Sequence, residues 1–377
     1  MNHATAEYLK QLFSSYYTER TILMPPALTQ REWGFLFFDP SEEVWMRRHV
    51  AFATKREALE YLRTMAPRHV FYSTAYYSLP SAGTMHEKGW CGADLIFDLD
   101  ADHIVRGPYA MMLERVKEET KKLVGMLTEE LGFPKREIEV VFSGGRGYHV
   151  HIRDLAVREW SSQERREIVD YVCGTGIDPR RMLGGSGGWH GRFRSALVSE
   201  LSRIAGMERK EALGVLNALE GIGKGTATAF FDRIGEQIVR ISDPSQPLPL
   251  SDRVISALVS EEGGSFAALL KEKAALTDEP VTTDIKRLIR LPSSLHGGSG
   301  LRVTPLAIAE LDRFDPLVDA VVFDEREVWI EIPQSIPYPV PMLGNDYRLE
   351  KGRGRVPEAL AVFLCCRGLA EYAGRVG

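Results

Sequence analysis

The sequence predicts a mixed α/β (α+β) fold with an α-helical insertion, on three observations. Short apolar, β-branched segments alternate with amphipathic helical segments over residues 1–157. Four helical segments separated by glycines follow one another over residues 158–242. Strand-like and loop segments return over residues 243–345, and a length of 377 residues allows two domains or one domain with an insertion.

The individual elements follow from apolar spacing and from turn residues. Before the insertion we expect a helix at 5–20, strands at 33–38 and 44–52, a helix at 55–66, strands at 69–80 and 93–103, a helix at 108–132 and a hairpin at 137–154. After residue 345 we expect a last segment, 346–377, that consists of a basic loop (350–355) and a helix (356–374).

Composition excludes several classes of protein. No window approaches the roughly 18 apolar residues of a membrane span, and the N-terminus reads as an amphipathic helix, so we expect a cytoplasmic protein. Four cysteines, at positions 91, 173, 365 and 366, form no CxxC pair and are expected to be reduced. Because the net charge is −5, any nucleic-acid surface must be a local basic patch.

The segment "DLIFDLD" (94–100) carries a candidate metal site. Alternate residues of a strand share a face, so Asp98 and Asp100 point the same way while Leu95, Phe97 and Leu99 face a core. Two neighbouring carboxylates repel each other unless a cation lies between them, and hard oxygen ligands favour Mg²⁺ or Mn²⁺. A strand that ends in a solvated acidic turn is the alternative.

The segment "VFSGGRGYHVHIR" (141–153) carries a candidate phosphate site. Its glycines let the backbone approach a ligand, and Ser143, Arg146 and His149 can all bind phosphate oxygens. His149 and His151 share a strand face, but no third soft ligand is spaced nearby, so zinc is the weaker hypothesis. We expect His151 to be a hydrogen-bonded residue of the strand face.

A third segment, "KRLIRLPSSLHGGSG" (286–300), again combines basic residues, hydroxyls, a histidine and a glycine-rich turn. Two such loops together with an aspartate pair indicate a site for a triphosphate and a metal. A site for a triphosphate and a metal in a chain without a correctly spaced P-loop indicates nucleotidyl transfer. The segment "TDEPVTTDIKRL" offers Asp278, Glu279 and Asp284 as a third carboxylate.

These segments, in this order and with the helical insertion between the second and the third, resemble the small, catalytic subunit of archaeo-eukaryotic DNA primases, most closely the archaeal branch. The resemblance covers most of the chain. It implies the primase-type catalytic core and the synthesis of short RNA primers on single-stranded DNA from NTPs, and it leaves open whether dNTPs are incorporated as well. It also implies a heterodimer with a separate large subunit that contains an iron–sulfur cluster.

The resemblance also implies roles for individual residues. The metal-binding aspartates fall on Asp98, Asp100 and Asp278, the last placed by its position eighteen residues before His296, with Asp284 in reserve. The nucleotide-binding residues implied by the resemblance are Ser143, Arg146, His149, Arg290, His296 and Arg48.

The sequence departs from many archaeal relatives at their zinc-binding Cys/His cluster. The segment after the aspartate pair has His103 and no cysteine, so we expect no zinc site. Two other functions stay open. One is a primase-like repair polymerase that extends ends but does not initiate, and the other is a non-catalytic nucleic-acid-binding subunit. A nuclease with the same metal pair is a weaker option.

Overall fold

A computed structural model describes residues 1–38, 45–101, 107–177, 188–261 and 263–376. His103 lies outside the described residues. The chain divides into two compact units. Unit 1 comprises Met1–Val124, Phe133–Glu167 and Thr277–Gly377, and unit 2 comprises Gly125–Gly132 and Ile168–Leu276.

The described residues form fifteen β-strands. In chain order they are β1 (Trp33–Leu36), β2 (Arg47–Val50), β3 (His69–Ser73), β4 (Ala75–Tyr77), β5 (Trp90–Ala93), β6 (Leu95–Asp100), β7 (Ile138–Phe142), β8 (Gly147–Ile152), β9 (Leu288–Arg290), β10 (Thr304–Leu306), β11 (Glu327–Ile332), β12 (Val340–Met342), β13 (Asn345–Tyr347), β14 (Gly352–Pro357) and β15 (Glu371–Arg375).

Thirteen α-helices occur in the same part of the chain. They are α1 (His3–Glu19), α2 (Lys55–Met65), α3 (Tyr109–Gly125), α4 (Ser162–Cys173), α5 (Gly188–Ala205), α6 (Arg209–Ala218), α7 (Lys224–Phe231), α8 (Ile234–Ser242), α9 (Arg253–Ser260), α10 (Ser265–Glu272), α11 (Glu279–Thr283), α12 (Pro316–Asp319) and α13 (Glu358–Cys366). None of them is both long enough and apolar enough to cross a lipid bilayer.

Unit 1 is built on two four-stranded antiparallel sheets. Sheet I has the strand order β2-β1-β3-β9, and sheet II has the order β10-β7-β8-β6. In both sheets a strand from the last third of the chain, β9 or β10, pairs with strands from the first half. The catalytic core that the resemblance implies is therefore assembled from sequence on both sides of the helical segment, and the mixed α/β fold class is confirmed.

Sheet II has one apolar face and one polar face because its strands alternate. Leu95, Phe97 and Leu99 of β6 are fully buried, as are Val150 and Ile152 of the neighbouring strand β8. Removal of these side chains from water stabilises this face of the sheet. The opposite face of the same strands carries the aspartates and histidines of the candidate site.

Unit 2 is helical, and its own core draws on α5 to α10. Phe193, Leu197 and Leu201 of α5 are fully buried together with Leu216 of α6 and Ile255 of α9. The unit extends to Leu276, beyond residue 242, the end of the insertion that the sequence predicts. The reason is that α9 and α10 bury apolar side chains in this same core. The sequence before them, around residues 243–252, is typical of a loop and does not indicate that the helical unit continues.

The C-terminal segment differs from the predicted basic loop and helix. Arg353 and Arg355 lie on strand β14, which pairs with β11 in a three-stranded sheet (sheet III, order β14-β11-β15). Helix α13 ends at Cys366, and residues 371–375 form a strand. The helix stops because Gly368 has a φ of 72°, and the N–H of Leu369 turns back to the carbonyl of Leu364.

Candidate active site

The pairing of β6 with β8 places an imidazole beside a carboxylate. Asp98 lies opposite His149 and Asp100 lies opposite Gly147, so these side chains share the polar face of sheet II. His149 Nε2 lies 3.6 Å from Asp98 Oδ1. Burial, with the charges of Arg290 and Arg287, lowers the pKa of His149 to about 3. The imidazole is therefore neutral, and its approach to Asp98 is not an ion pair at neutral pH.

Asp278 is held against the strand of the aspartate pair by main-chain contacts. Its N–H donates to the carbonyl of Asp98 at 2.9 Å, and the hydroxyl of Thr277 donates to the same carbonyl at 3.1 Å. Asp278 is the N-cap of α11, whereas Asp284 lies at the other end of this helix and accepts from the N–H of Lys286. The structure thus brings Asp278, and not Asp284, to the aspartates of β6.

The three aspartates act on one another electrostatically. Burial and the negative charges of Asp100 and Asp278 raise the pKa of Asp98 to about 7, while Arg287 and Arg290 oppose the rise. Such a cluster of carboxylates next to arginines is typical of a site that binds a charged ligand.

The donor set fits a hard divalent cation in chemistry, because all three side chains offer carboxylate oxygens and a cation would relieve their repulsion. Among the described residues, no three His, Cys, Asp or Glu side chains are arranged as a ready-made metal site.

The glycine-rich turn between β7 and β8 is organised around a serine. Ser143 Oγ accepts from the N–H groups of Gly145 and Gly147, at 3.2 and 3.3 Å, which leaves its proton available to a ligand. Gly144 has a φ of 75°, a conformation that glycine adopts without strain. The hydroxyl of Tyr109 also donates to the carbonyl of Gly145.

The second glycine-rich loop lies directly against the first. A Cβ atom on Gly144 would lie 2.6 Å from His296 Cβ, and one on Gly145 would lie 3.0 Å from His296 Nε2. The hydroxyl of Ser299 donates to the carbonyl of Gly144. Burial is the largest cause that lowers the pKa of His296 well below its usual value. Two predicted phosphate-binding loops, joined by a hydrogen bond between residues 155 apart in the sequence, thus form one surface with a neutral histidine in its centre.

The two predicted arginines of sheet I differ in their partners. Arg290 Nη1 lies 2.6 Å from His69 Nδ1, and its guanidinium lies 4.9 Å from the centre of the Phe71 ring. Arg48 instead donates to both carboxylate oxygens of buried Glu32, at 3.1 and 3.3 Å. Among the described residues, Arg290 therefore has no carboxylate partner, whereas Arg48 is paired with one.

His151 departs from its expected role. It lies on the polar face of β8, is fully buried, and has no hydrogen-bond partner on either ring nitrogen among the described residues. Burial lowers its pKa well below the usual value. The expectation of a hydrogen-bonded histidine is wrong, since apolar Ile96 lies opposite on β6 and the carboxylate of Glu139 on β7 pairs with Arg153.

Four further residues belong to this region and were not predicted. The hydroxyl of Tyr109 donates to the carbonyl of Gly145 in the first glycine-rich loop, and His69 Nδ1 accepts from the N–H of Gly297 in the second. Arg287 is exposed and acts electrostatically on Asp98, and Arg367 stacks on the Tyr109 ring at 4.6 Å from its centre. Only Arg287 carried a sequence signal, since it stands in the basic segment of Arg290, whereas the others come from distant parts of the chain.

Comparisons with known proteins identify the family to which this sequence is similar. A family profile described as DNA primase small subunit matches residues 97–308. Proteins named DNA primase small subunit PriS are similar over nearly the whole chain: that of Methanoregula boonei is 56% identical (99% of this chain, 100% of the relative), that of Methanosphaerula palustris 52% (99% and 99%), and that of Methanocorpusculum labreanum 51% (100% and 100%).

A solved polymerase domain from Mycobacterium tuberculosis Ligase D in complex with DNA matches 81% of this chain and 83% of that chain, with 14% identity and a TM-score of 0.35. So weak a likeness carries no structural argument. The family profile covers the aspartate strand and both glycine-rich loops, and the relatives share more than half of all residues over their full length. The chain belongs to the DNA primase small subunit family.

Proposed function

We propose that this chain is the catalytic subunit of a DNA primase, a nucleotidyltransferase that makes short RNA primers on single-stranded DNA. The observation that carries the proposal is the contact of Asp278 with the carbonyl of Asp98, which assembles a third carboxylate beside the two glycine-rich loops. Carboxylates on one side and neutral histidines, guanidinium groups and the Ser143 hydroxyl on the other suit a nucleoside triphosphate.

The carboxylates would hold the cations of the reaction. Asp98, Asp100 and Asp278 offer oxygen ligands that suit Mg²⁺ or Mn²⁺. When bound, such cations lower the pKa of an attacking hydroxyl and neutralise charge on departing pyrophosphate. The chain itself places these carboxylates on β6 and at the N-terminus of α11.

The glycine-rich loops would bind the phosphates of the incoming nucleotide. Ser143 keeps its hydroxyl proton free for a phosphate oxygen, and His149 and His296 are neutral imidazoles that can each donate one N–H. Arg146 and Arg290 supply positive charge. Because the imidazoles stay neutral, they contribute direction to the binding, while the guanidinium groups contribute most of the electrostatic attraction.

The primase would act with a separate large subunit that carries an iron–sulfur cluster. This chain does not offer four clustered thiolates, since Cys365 and Cys366 are buried in α13 while Cys91 is exposed on β5. A cluster of this kind is held by four cysteine thiolates, or by two with two histidines. The cluster would therefore belong to the partner.

The test is primer synthesis on unprimed single-stranded DNA, with labelled NTPs or dNTPs and with Mg²⁺ or Mn²⁺, by the chain alone and with its large subunit. New oligonucleotides, in the presence of the partner, are the expected result. Extension of a supplied primer without initiation would favour the repair polymerase. Absence of both reactions, with DNA binding retained, would favour a non-catalytic subunit. The NTP and dNTP arms give the substrate preference.

A further inference from the structure

His69 is an unassigned residue at the centre of the candidate nucleotide site. It is the first residue of β3 and is 9% exposed. Its Nδ1 atom lies 2.6 Å from Arg290 Nη1 and accepts from the main-chain N–H of Gly297 at 3.3 Å. The imidazole thus contacts both the arginine of β9 and the residue that follows His296.

These two contacts determine the tautomer of His69. A guanidinium group has only donors, and a main-chain N–H is a donor, so Nδ1 must be the acceptor of both and the proton must lie on Nε2. Burial, with the charges of Arg290 and Arg68, lowers the pKa of His69 well below its usual value. His69 is therefore a neutral acceptor.

A neutral acceptor has a consequence for Arg290. Besides His69, the Arg290 guanidinium contacts the ring face of Phe71 in the described structure. Asp98 and Asp100 act on it electrostatically from a distance. A carboxylate at the position of His69 would fix the guanidinium equally well, but it would cancel its charge. The imidazole fixes the guanidinium and leaves its full positive charge for an anion.

The same imidazole supports the loop of His296. The rings of His69 and His296 are 5.1 Å apart and nearly perpendicular, at 89°. Arg68, the preceding residue, donates from Nε to the carbonyl of Gly297 at 2.9 Å. A Cβ atom on Gly297 would lie 2.4 Å from the main-chain oxygen of Arg68, so the loop fits only as glycine. Residues 68 and 69 therefore clamp residue 297 from two sides.

We propose that His69 is a positioning residue for nucleotide binding: as a neutral acceptor it aligns the Arg290 guanidinium and the His296 loop toward the triphosphate. The inference rests on the proposed function, in which Arg290 binds phosphate. It predicts that the shape and the neutrality of residue 69 are both needed, since either a missing acceptor or a charged one weakens the attraction of Arg290 for phosphate.

Three substitutions separate these requirements. In His69→Asn, the amide oxygen can take the place of Nδ1 and remains neutral; His69→Asp has nearly the same shape but adds a charge; His69→Ala removes the acceptor. The readout is KM and kcat for single-nucleotide extension of a supplied primer by the complex with the large subunit. We expect a KM increase of about 10- to 100-fold in His69→Ala and His69→Asp, and recovery to within about threefold of wild type in His69→Asn.

A double-mutant cycle with Arg290→Ala shows whether His69 acts through Arg290. We expect Arg290→Ala to raise KM and His69→Ala to add little to it in the double variant. If the two effects multiply, or if His69→Asp binds nucleotide as well as His69→Asn, the inference is overturned and the proposed function stands. If Arg290→Ala leaves KM unchanged, the proposed role of Arg290 fails together with the inference. Melting temperatures of all variants identify any that are merely unfolded.

Discussion

The main-chain N–H of Asp278 donates a hydrogen bond of 2.9 Å to the main-chain carbonyl of Asp98. This hydrogen bond joins β6, in the first half of the chain, to the segment that follows the helical unit. It also decides which carboxylate joins the aspartate pair, because Asp284, at the opposite end of α11, accepts instead from the N–H of Lys286. The first prediction tests this choice.

We predict that Asp278→Asn weakens Mn²⁺ binding at least tenfold, while Asp284→Asn leaves it within about threefold of wild type. Removal of one of three carboxylates lowers the negative charge at the site and takes away a ligand. The fraction of bound Mn²⁺, followed by electron paramagnetic resonance during titration in the presence of a nucleoside triphosphate, gives both affinities. The reverse pattern would move the third ligand to Asp284.

Gly147 is predicted to be essential for the pairing of β6 with β8. A Cβ atom here would lie 2.2 Å from the main-chain oxygen of Leu99 and 3.1 Å from Asp100 Cα, so Gly147→Ala must separate the strands. We expect a loss of about 1–3 kcal/mol in the free energy of unfolding and reduced activity. Chemical denaturation measures the first effect.

The matched control is Gly354→Ala, on strand β14, where a Cβ atom meets nothing within 4 Å. This variant should unfold within about 0.5 kcal/mol of wild type. Equal destabilisation of both variants would show that the loss at Gly147 comes from the general response of strands to alanine and not from the contact with β6.

Thiol reactivity is predicted to separate the cysteines of this chain. Burial raises the pKa of Cys366 to about 12 and raises that of Cys365 as well, so at pH 8 neither forms an appreciable fraction of thiolate. Cys91 is exposed. Iodoacetamide labelling with mass spectrometry should modify Cys91 first, and should reach Cys365 and Cys366 only after denaturant is added.

The control for this experiment is Cys91→Ser, which should lose the fast phase and keep the protected thiols. Labelling of Cys365 or Cys366 in the native protein at the rate of Cys91 would contradict the buried position of α13.

A pH dependence of stability is predicted at Glu358. Burial raises its pKa in the folded protein, and its carboxylate accepts from the hydroxyl of Tyr8 at 3.1 Å. Since the folded protein binds the proton more tightly than the unfolded chain, stability falls as the pH rises through the titration of this group. Glu358→Gln retains an acceptor for Tyr8 and removes the charge.

We therefore expect Glu358→Gln to be more stable than wild type at pH 8, on the order of 1 kcal/mol, and the difference to disappear toward pH 4. Denaturation curves at several pH values measure it, with exposed Glu331→Gln as the control. A variant that is less stable than wild type at pH 8 would show that the attraction of Arg326 for the carboxylate outweighs the cost of burial.

The hairpin of the site could be predicted because its signals are local. The alternation of apolar residues and the glycines of "SGGRG" predict two strands around a turn, and β7 and β8 flank that turn. The face shared by Asp98 and Asp100 follows from the same two-residue period. Such features depend on neighbours in the sequence, so the sequence alone contains them.

The contacts between distant segments could not be predicted from the residues themselves. Thr277 lies 179 residues from Asp98, and only the resemblance to the primase family, through the spacing of Asp278 from His296, favoured Asp278 over Asp284. The reason is that tertiary packing, not local propensity, chooses which end of α11 meets β6. His69 gave no signal at all, because its role depends on Arg290 and Gly297, which are brought to it by β9 and the following loop.

Termination of elements was the least predictable part of the fold. The apolar sequence of α13 continues past Cys366, yet the left-handed conformation of Gly368 ends the helix and lets residues 371–375 join sheet III. In unit 2, the helices α9 and α10 follow a segment rich in proline and serine, which reads as a loop, but their apolar faces complete the helical core.

The most direct test of the account is single-turnover nucleotidyl transfer to a primer by the complex with the large subunit. Wild type would be compared with Asp98→Asn, Asp278→Asn and Asp284→Asn. If Asp98 and Asp278 belong to one catalytic centre, both variants should lose about 100-fold or more of the rate while Asp284→Asn stays within about threefold of wild type. Full activity of Asp278→Asn would contradict the account, since the contact with Asp98 would then serve the fold alone.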